Sequence, residues 1–92
     1  MKISTEQILK DIQAELVRAR EKFPNTPHVM NALTEEVGEL AKALLQRQYE
    51  PHKGVTNRDI YWEAVQVATM AIRVATEGDE TLDKYKPERS HD

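Results

Sequence analysis

Glu35-Glu36-Val37-Gly38-Glu39-Leu40 sets three carboxylates within five residues, inside a segment whose apolar spacing is that of a core helix. A helix turns about 100° per residue, so with Val29 at zero, Leu33, Val37, Leu40 and Leu44 all fall within about 80° on one side. Glu36 projects to about −20°, inside that apolar stripe, and Glu39 to about −80°, on its flank. Glu35 lies farther round, near about −120°, where a helix face is ordinarily solvated. A carboxylate in a buried stripe is costly unless a cation meets it. The sequence therefore asks for a Lys or Arg partner, or a metal ion, beside Glu36.

Helical periodicity recurs on both sides of this stretch, and the class it predicts is all-α. Ser4-Thr5-Glu6-Gln7 reads as a capping box opening a first helix that runs to Lys22. Ile8, Ile12, Leu16, Ala19 and Phe23 recur at helical spacing along it, with Leu9 beside them. Phe23-Pro24-Asn25 ends that helix. Thr26-Pro27 supplies an N-cap and then proline at the first helical position, predicting a second helix from Pro27 to Gln48. Gly38 in its middle costs roughly 1 kcal/mol against alanine and marks close packing or the approach of a ligand. Pro51 and Gly54 break the chain between Tyr49 and Val55. Thr56, with Asp59 three residues on, caps a third helix that continues to Glu77, and Gly78 takes the left-handed C-terminal position. A short turn over 79–85 and a disordered tail over 86–92 complete the expectation, so that residues 1–85 make one domain.

The third helix carries apolar residues over roughly 220° of arc, from Met70 through Val67, Ile60, Ala71 and Ala68 to Val65. A helix that is apolar so widely is central to its bundle or lies in a subunit interface. The expected architecture is a helical bundle of three main helices plus a short C-terminal turn, completed by oligomerisation, because 92 residues bury only a modest core.

Glu63 lies within that arc, between the projections of Met70 and Val74, and Asp59, Gln66, Arg73 and Glu77 run along one edge beside it. A short connection predicts antiparallel second and third helices, on which Glu36, Glu39 and Glu63 converge. Three converging carboxylates do not all stay ionised without a cation. An oxygen-only set of this kind suits Mg²⁺ or Mn²⁺. The plainer alternative is a set of salt bridges to Lys42, Arg47, Arg58 or Arg73. Arg73 itself has two readings, a bidentate partner for phosphate or an intrahelical pair with Glu77. Lys22, Lys42 and Lys53 are further phosphate candidates. Trp62 suits either stacking on a base or filling a subunit interface. His28, His52 and His91 share no metal spacing.

Glu36-x-x-Glu39 followed by Glu63-x-x-Gln66 resembles the paired motifs of the MazG-like all-α nucleoside triphosphate pyrophosphohydrolases, ExxE on one helix and ExxD on the next. Lys22-Phe23-Pro24 and the run from Ala32-Leu33-Thr34-Glu35-Glu36 to Ala41-Lys42-Ala43-Leu44 resemble the first half of such a domain, and the likeness spans residues 4–79. It implies Mg²⁺-dependent hydrolysis of a nucleoside triphosphate between the α and β phosphates, giving monophosphate and pyrophosphate. It implies that Glu36, Glu39 and Glu63 are catalytic and hold the metal, with Gln66 in the fourth ligand position. It also implies a homodimer or homotetramer. Where the family has aspartate, Gln66 brings an oxygen but no charge, and it cannot serve as a base. Asp59, one turn before Glu63, is a candidate to restore the missing carboxylate, against its plainer role as a cap. The alternatives are a nucleotide- or metal-binding module of the same fold without turnover, and a helical interaction domain whose glutamates are all paired.

Composition excludes several other classes. The chain has no cysteine, so neither disulfides nor thiolate metal sites arise. Its net charge of −3 and lack of a basic run argue against a nucleic-acid polymer as partner. No apolar run approaches membrane-spanning length, and the charged opening residues do not read as a signal peptide, which makes the cytoplasm the expected location. No glycine-rich phosphate loop is present, so phosphates would have to be held through metal.

Overall fold

In the computed structural model, residues 2–24 and 28–78 are described. They form three α-helices, α1 (Thr5–Lys22), α2 (Val29–Tyr49) and α3 (Asn57–Glu77), with a single 3-10 turn (Pro51–Lys53) between the last two. No strand occurs among the described residues. The all-α expectation therefore holds. The expected turn over 79–85, the tail beyond it and the Thr26-Pro27 cap lie outside the described residues.

Local chemistry accounts for most of the boundaries. At α1, the Ser4 hydroxyl accepts from the Gln7 backbone N–H at 3.1 Å, which is half of a capping box. Gln7 turns its side chain to Asp11 instead, 3.1 Å away. At α3 the box is complete: Thr56 Oγ1 accepts from Asp59 N, and the Asp59 carboxylate accepts from the Thr56 N–H at 2.8 Å and from its hydroxyl at 2.9 Å. Asp59 is a cap, and those bonds hold its carboxyl below the ordinary carboxylate range. α2 begins two residues later than the proline predicts, with His28 as N-cap and no capping bond from its side chain. Gly54, at φ 71, ψ 24, closes the 3-10 turn in a left-handed conformation natural to glycine. Gly78 also has positive φ, but its ψ of −167 makes it an extended exit and not the left-handed cap that was expected.

The order of cross-helix contacts gives the topology. From α1 to α3 the partners advance together, Asp11 with Tyr61, Glu15 with Gln66, Arg73 with the Ala19 carbonyl, and Arg20 with Glu77, so these two helices run parallel. Between α2 and α3 the order reverses. Glu39 and Ala43 share a cavity with Asp59 and Glu63, whereas Ala32 and Glu36 share one with Gln66 and Met70. α2 and α3 are thus the antiparallel pair the short connection requires. Both outer helices pack on α3 and make little contact with each other.

This arrangement divides the wide apolar arc of α3. Its two margins are buried, Val65 on one side and Met70 on the other. The middle of the arc is uncovered: Ala64, Ala71 and Ala75 are exposed, and Ile60, Val67 and Ala68 are half-buried. α2 is rotated in the same sense. Val29 and Ala43 are buried and Glu36 half-buried, while Val37 and Leu44, expected in the core stripe, are each 48% exposed. Gly38 is exposed, and a Cβ there would meet nothing within 4 Å, so close packing within this chain does not explain it.

Candidate functional site

Because α1 and α2 diverge across α3, a cleft of about 550 Å³ opens between them, within the size range of small-molecule sites. Glu15, Arg18 and Phe23 form one wall, Ala32, Glu35 and Glu36 the other, and Glu63, Gln66, Met70 and Arg73 the floor. Four of these residues are glutamates and only two are cationic. The residues meet because each carboxylate of the central group lies on the packed side of its helix, where a hydrophobic side chain would be usual.

Glu36 is half-buried, and no hydrogen bond or ion pair from a described residue reaches its carboxylate. Burial pushes its carboxyl upward, and the charges of Glu63, Glu35, Glu39 and Glu15 push it further the same way. The salt-bridge alternative is therefore not what the structure displays. The ion pairs among the described residues join Arg18 to Glu15, Arg20 and Arg73 to Glu77, and Lys53 to Glu50, and none involves Glu36, Glu39 or Glu63.

Glu63 stands between two cavities. Glu36 and Gln66 share the larger one with it, and Glu39 shares a smaller one of about 260 Å³ with Glu63, Asp59 and Lys42. Gln66 donates its Nε2 to Glu15 Oε2 at 2.8 Å. Among the described residues, no three Asp, Glu or His side chains stand close enough together to share one ion. The oxygen donors Glu36, Glu63 and Gln66 are nonetheless of the type Mg²⁺ and Mn²⁺ prefer, and Glu36 is a desolvated charge without a cation. By donor chemistry the site fits a hard divalent ion, while the side chains as they stand are gathered but not closed around a point.

The remaining predicted contacts are dispersed. Arg73 reaches the cleft, yet it is only 1% exposed and its guanidinium is engaged. Nε and Nη2 donate to the Glu77 carboxylate, and Nη2 also donates to the Phe23 carbonyl at 2.8 Å. The pair with Glu77, one of its two readings, is thus formed, and Arg73 ties the end of α1 to α3. Lys22 holds its ammonium 5.5 Å from the centre of the Phe23 ring and does not line the cleft. Trp62 packs edge-on against Tyr61, their ring centres 5.2 Å apart, in a separate groove with Gln7, Asp11 and Arg58. The structure does not bring Trp62 to the acidic site.

Two cleft residues escaped the sequence reading. Glu15 is 8% exposed and accepts from Arg18 Nε at 3.0 Å, from Arg18 Nη2 and from Gln66. Those bonds, Arg18 foremost, hold its carboxyl below the usual range in spite of burial. The signal was present: Glu15 lies on the same stripe of α1 as Ile12 and Ala19, as Glu36 does on α2. Arg18 carried no such signal, because half of its side chain is in solvent.

Comparison with protein-family models, with curated proteins and with solved structures found no match. Among the described residues no helix is long and apolar enough to cross a membrane.

Proposed function

We propose that this protein is a Mg²⁺-dependent nucleotide pyrophosphohydrolase that converts a nucleoside triphosphate to the monophosphate and pyrophosphate, with the cleft between α1 and α2 as its site. The observation that carries this reading is Glu36: a half-buried carboxylate without a partner, facing Glu63 and Gln66 across a ligand-sized cleft. The resemblance of Glu36-x-x-Glu39 and Glu63-x-x-Gln66 to the MazG-like motifs supplies the reaction. Glu36, Glu63 and Gln66 would hold Mg²⁺ or Mn²⁺, and Glu39, which lines the neighbouring cavity with Glu63, would have to turn towards them to join. When bound, such an ion neutralises charge on the phosphoryl oxygens and supplies an activated water. Arg18, 54% exposed at the cleft wall, is bound to Glu15 through Nε and Nη2 and would meet phosphate through its remaining Nη1.

The second reading is a nucleotide- or metal-binding module without turnover. It is favoured by the uncharged Gln66, whose amide is tied to Glu15. In either reading the uncovered apolar face is where copies of the chain would meet as a homodimer or homotetramer.

The test is pyrophosphate release from a panel of ribo- and deoxyribonucleoside triphosphates with and without Mg²⁺ or Mn²⁺. Metal-dependent release from at least one nucleotide is expected. Glu36→Gln should abolish it while leaving the helical far-UV spectrum intact and the metal-free protein no less stable, because an unpaired charge is removed. No release across the panel, with metal binding retained, would establish the non-catalytic module. Loss of folding in Glu36→Gln would show the residue to be structural.

A further inference from the structure

We propose that Glu15 is a positioning residue for Gln66: it fixes the amide so that the carbonyl oxygen, and not the NH₂ group, is presented to the cleft. The inference rests on the metal-binding reading of the cleft given above. A carboxylamide has a donor end and an acceptor end of nearly the same shape, so an unrestrained glutamine offers a cation either an oxygen or a repulsive NH₂. An ionised carboxylate only accepts. Glu15 Oε2, 2.8 Å from Gln66 Nε2, therefore selects one of the two amide orientations. The reversed orientation would set oxygen against oxygen.

Glu15 is itself immobilised. It is 8% exposed, and Arg18 grips both of its oxygens, one at 3.0 Å. No described residue donates to Gln66 Oε1, which leaves that oxygen available. Glu15, Arg18 and Gln66 line the same cleft as Glu36 and Glu63. A chain lacking a carboxylate at position 66 thus gains a fixed oxygen there, held by a carboxylate one helix away. Glu15 and Gln66 form one acid–amide unit, and the unit should work with its two members exchanged.

The experiment measures Mn²⁺ affinity by titration calorimetry, without nucleotide, for the full chain and for Glu15→Gln, Gln66→Glu and the exchanged double variant. Glu15→Gln should weaken binding about 10-fold, the lower end of what outer residues that orient ligands contribute. The exchanged pair, with the same net charge and one amide–carboxylate bond, should return to within about 3-fold of the starting affinity, a coupling that independent sites do not show. The side-chain NH₂ signals of Gln66, identified by their loss in Gln66→Glu, should shift or broaden in Glu15→Gln. A merely structural Glu15 would lower stability without rescue by exchange. Wild-type binding that Glu15→Gln leaves unchanged, or two effects that simply multiply, would overturn the proposal alone. A wild type that binds no Mn²⁺ would overturn the metal reading and this inference with it.

Discussion

Arg73 shows how little of a charged side chain's role its residue type determines. Its guanidinium is buried against Glu77 and the Ala19 and Phe23 carbonyls, so lysine, whose donors all sit on one nitrogen, cannot replace it. Arg73→Lys should cost about 2–4 kcal/mol in urea unfolding, because it strands partly buried acceptors. Arg73 first, and Arg20 with it, hold the Glu77 carboxyl below its ordinary value. A folded pKa below the unfolded one gives stability that is present above the unfolded value and lost as pH falls through the folded one. Urea midpoints should therefore fall between pH 5 and pH 3, and fall less in Glu77→Gln. Because Glu77 is part-exposed, the difference should not exceed about 1 kcal/mol. Glu36 contributes with the opposite sign: burial and Glu63 raise its carboxyl, so protonating it as pH falls favours the fold. A midpoint rising steadily down to pH 3 would contradict the Glu77 assignment. From sequence, Arg73 had two readings, since a pair at four residues' spacing and a phosphate contact use the same residue. Only the arrival of α1's last carbonyls separates them.

At the scale of elements, caps are legible because they are local. Thr56 and Asp59 form the box their spacing predicts, and Thr56→Ala should destabilise the protein by about 1 kcal/mol. At α2 the His28 side chain makes no capping bond, and the first turn has no acidic residue. His28→Asp should accordingly stabilise it by about 0.3–1 kcal/mol, by placing a negative charge at the positive end of the helix dipole. Chemical denaturation of the two variants against wild type checks both, and equal midpoints would show that these ends are held by packing. The apolar faces were harder to read. Periodicity gives the width of a stripe but not which part of it a neighbour covers. Hence Val37 and Leu44, within α2's stripe, lie outside the core, and Glu36 lies under cover. Glu15 is the same effect on α1: its place on the stripe was visible, but its partner Gln66 lies 51 residues away.

In the whole molecule, α3 is shared by two helices that do not close over it. On one side this leaves the acidic cleft, and away from it Met30, Val37 and Leu44 of α2 and Ala64, Ala71 and Ala75 of α3 stay exposed. Faces of this kind on a small domain are where copies associate. The oligomer proposed above should be lost in Leu44→Glu, which should sediment as a monomer at equilibrium with its helix content preserved. A wild type that is monomeric at about 100 μM, a concentration that would populate even a weak dimer, would remove oligomerisation from the functional reading.

The sequence by itself determined the helices, their order, the complete cap of α3 and the presence of a carboxylate where apolar residues belong. Each of these depends on residues within a turn or two of one another. The tertiary structure alone decided that Glu36 and Glu63 share a cleft while Glu39 faces another cavity, that Arg73 braces two helices, and that Glu15 reaches Gln66. Those outcomes depend on how far each helix rotates about its axis when it packs. That rotation is set by side chains far apart in the chain, and no local pattern encodes it.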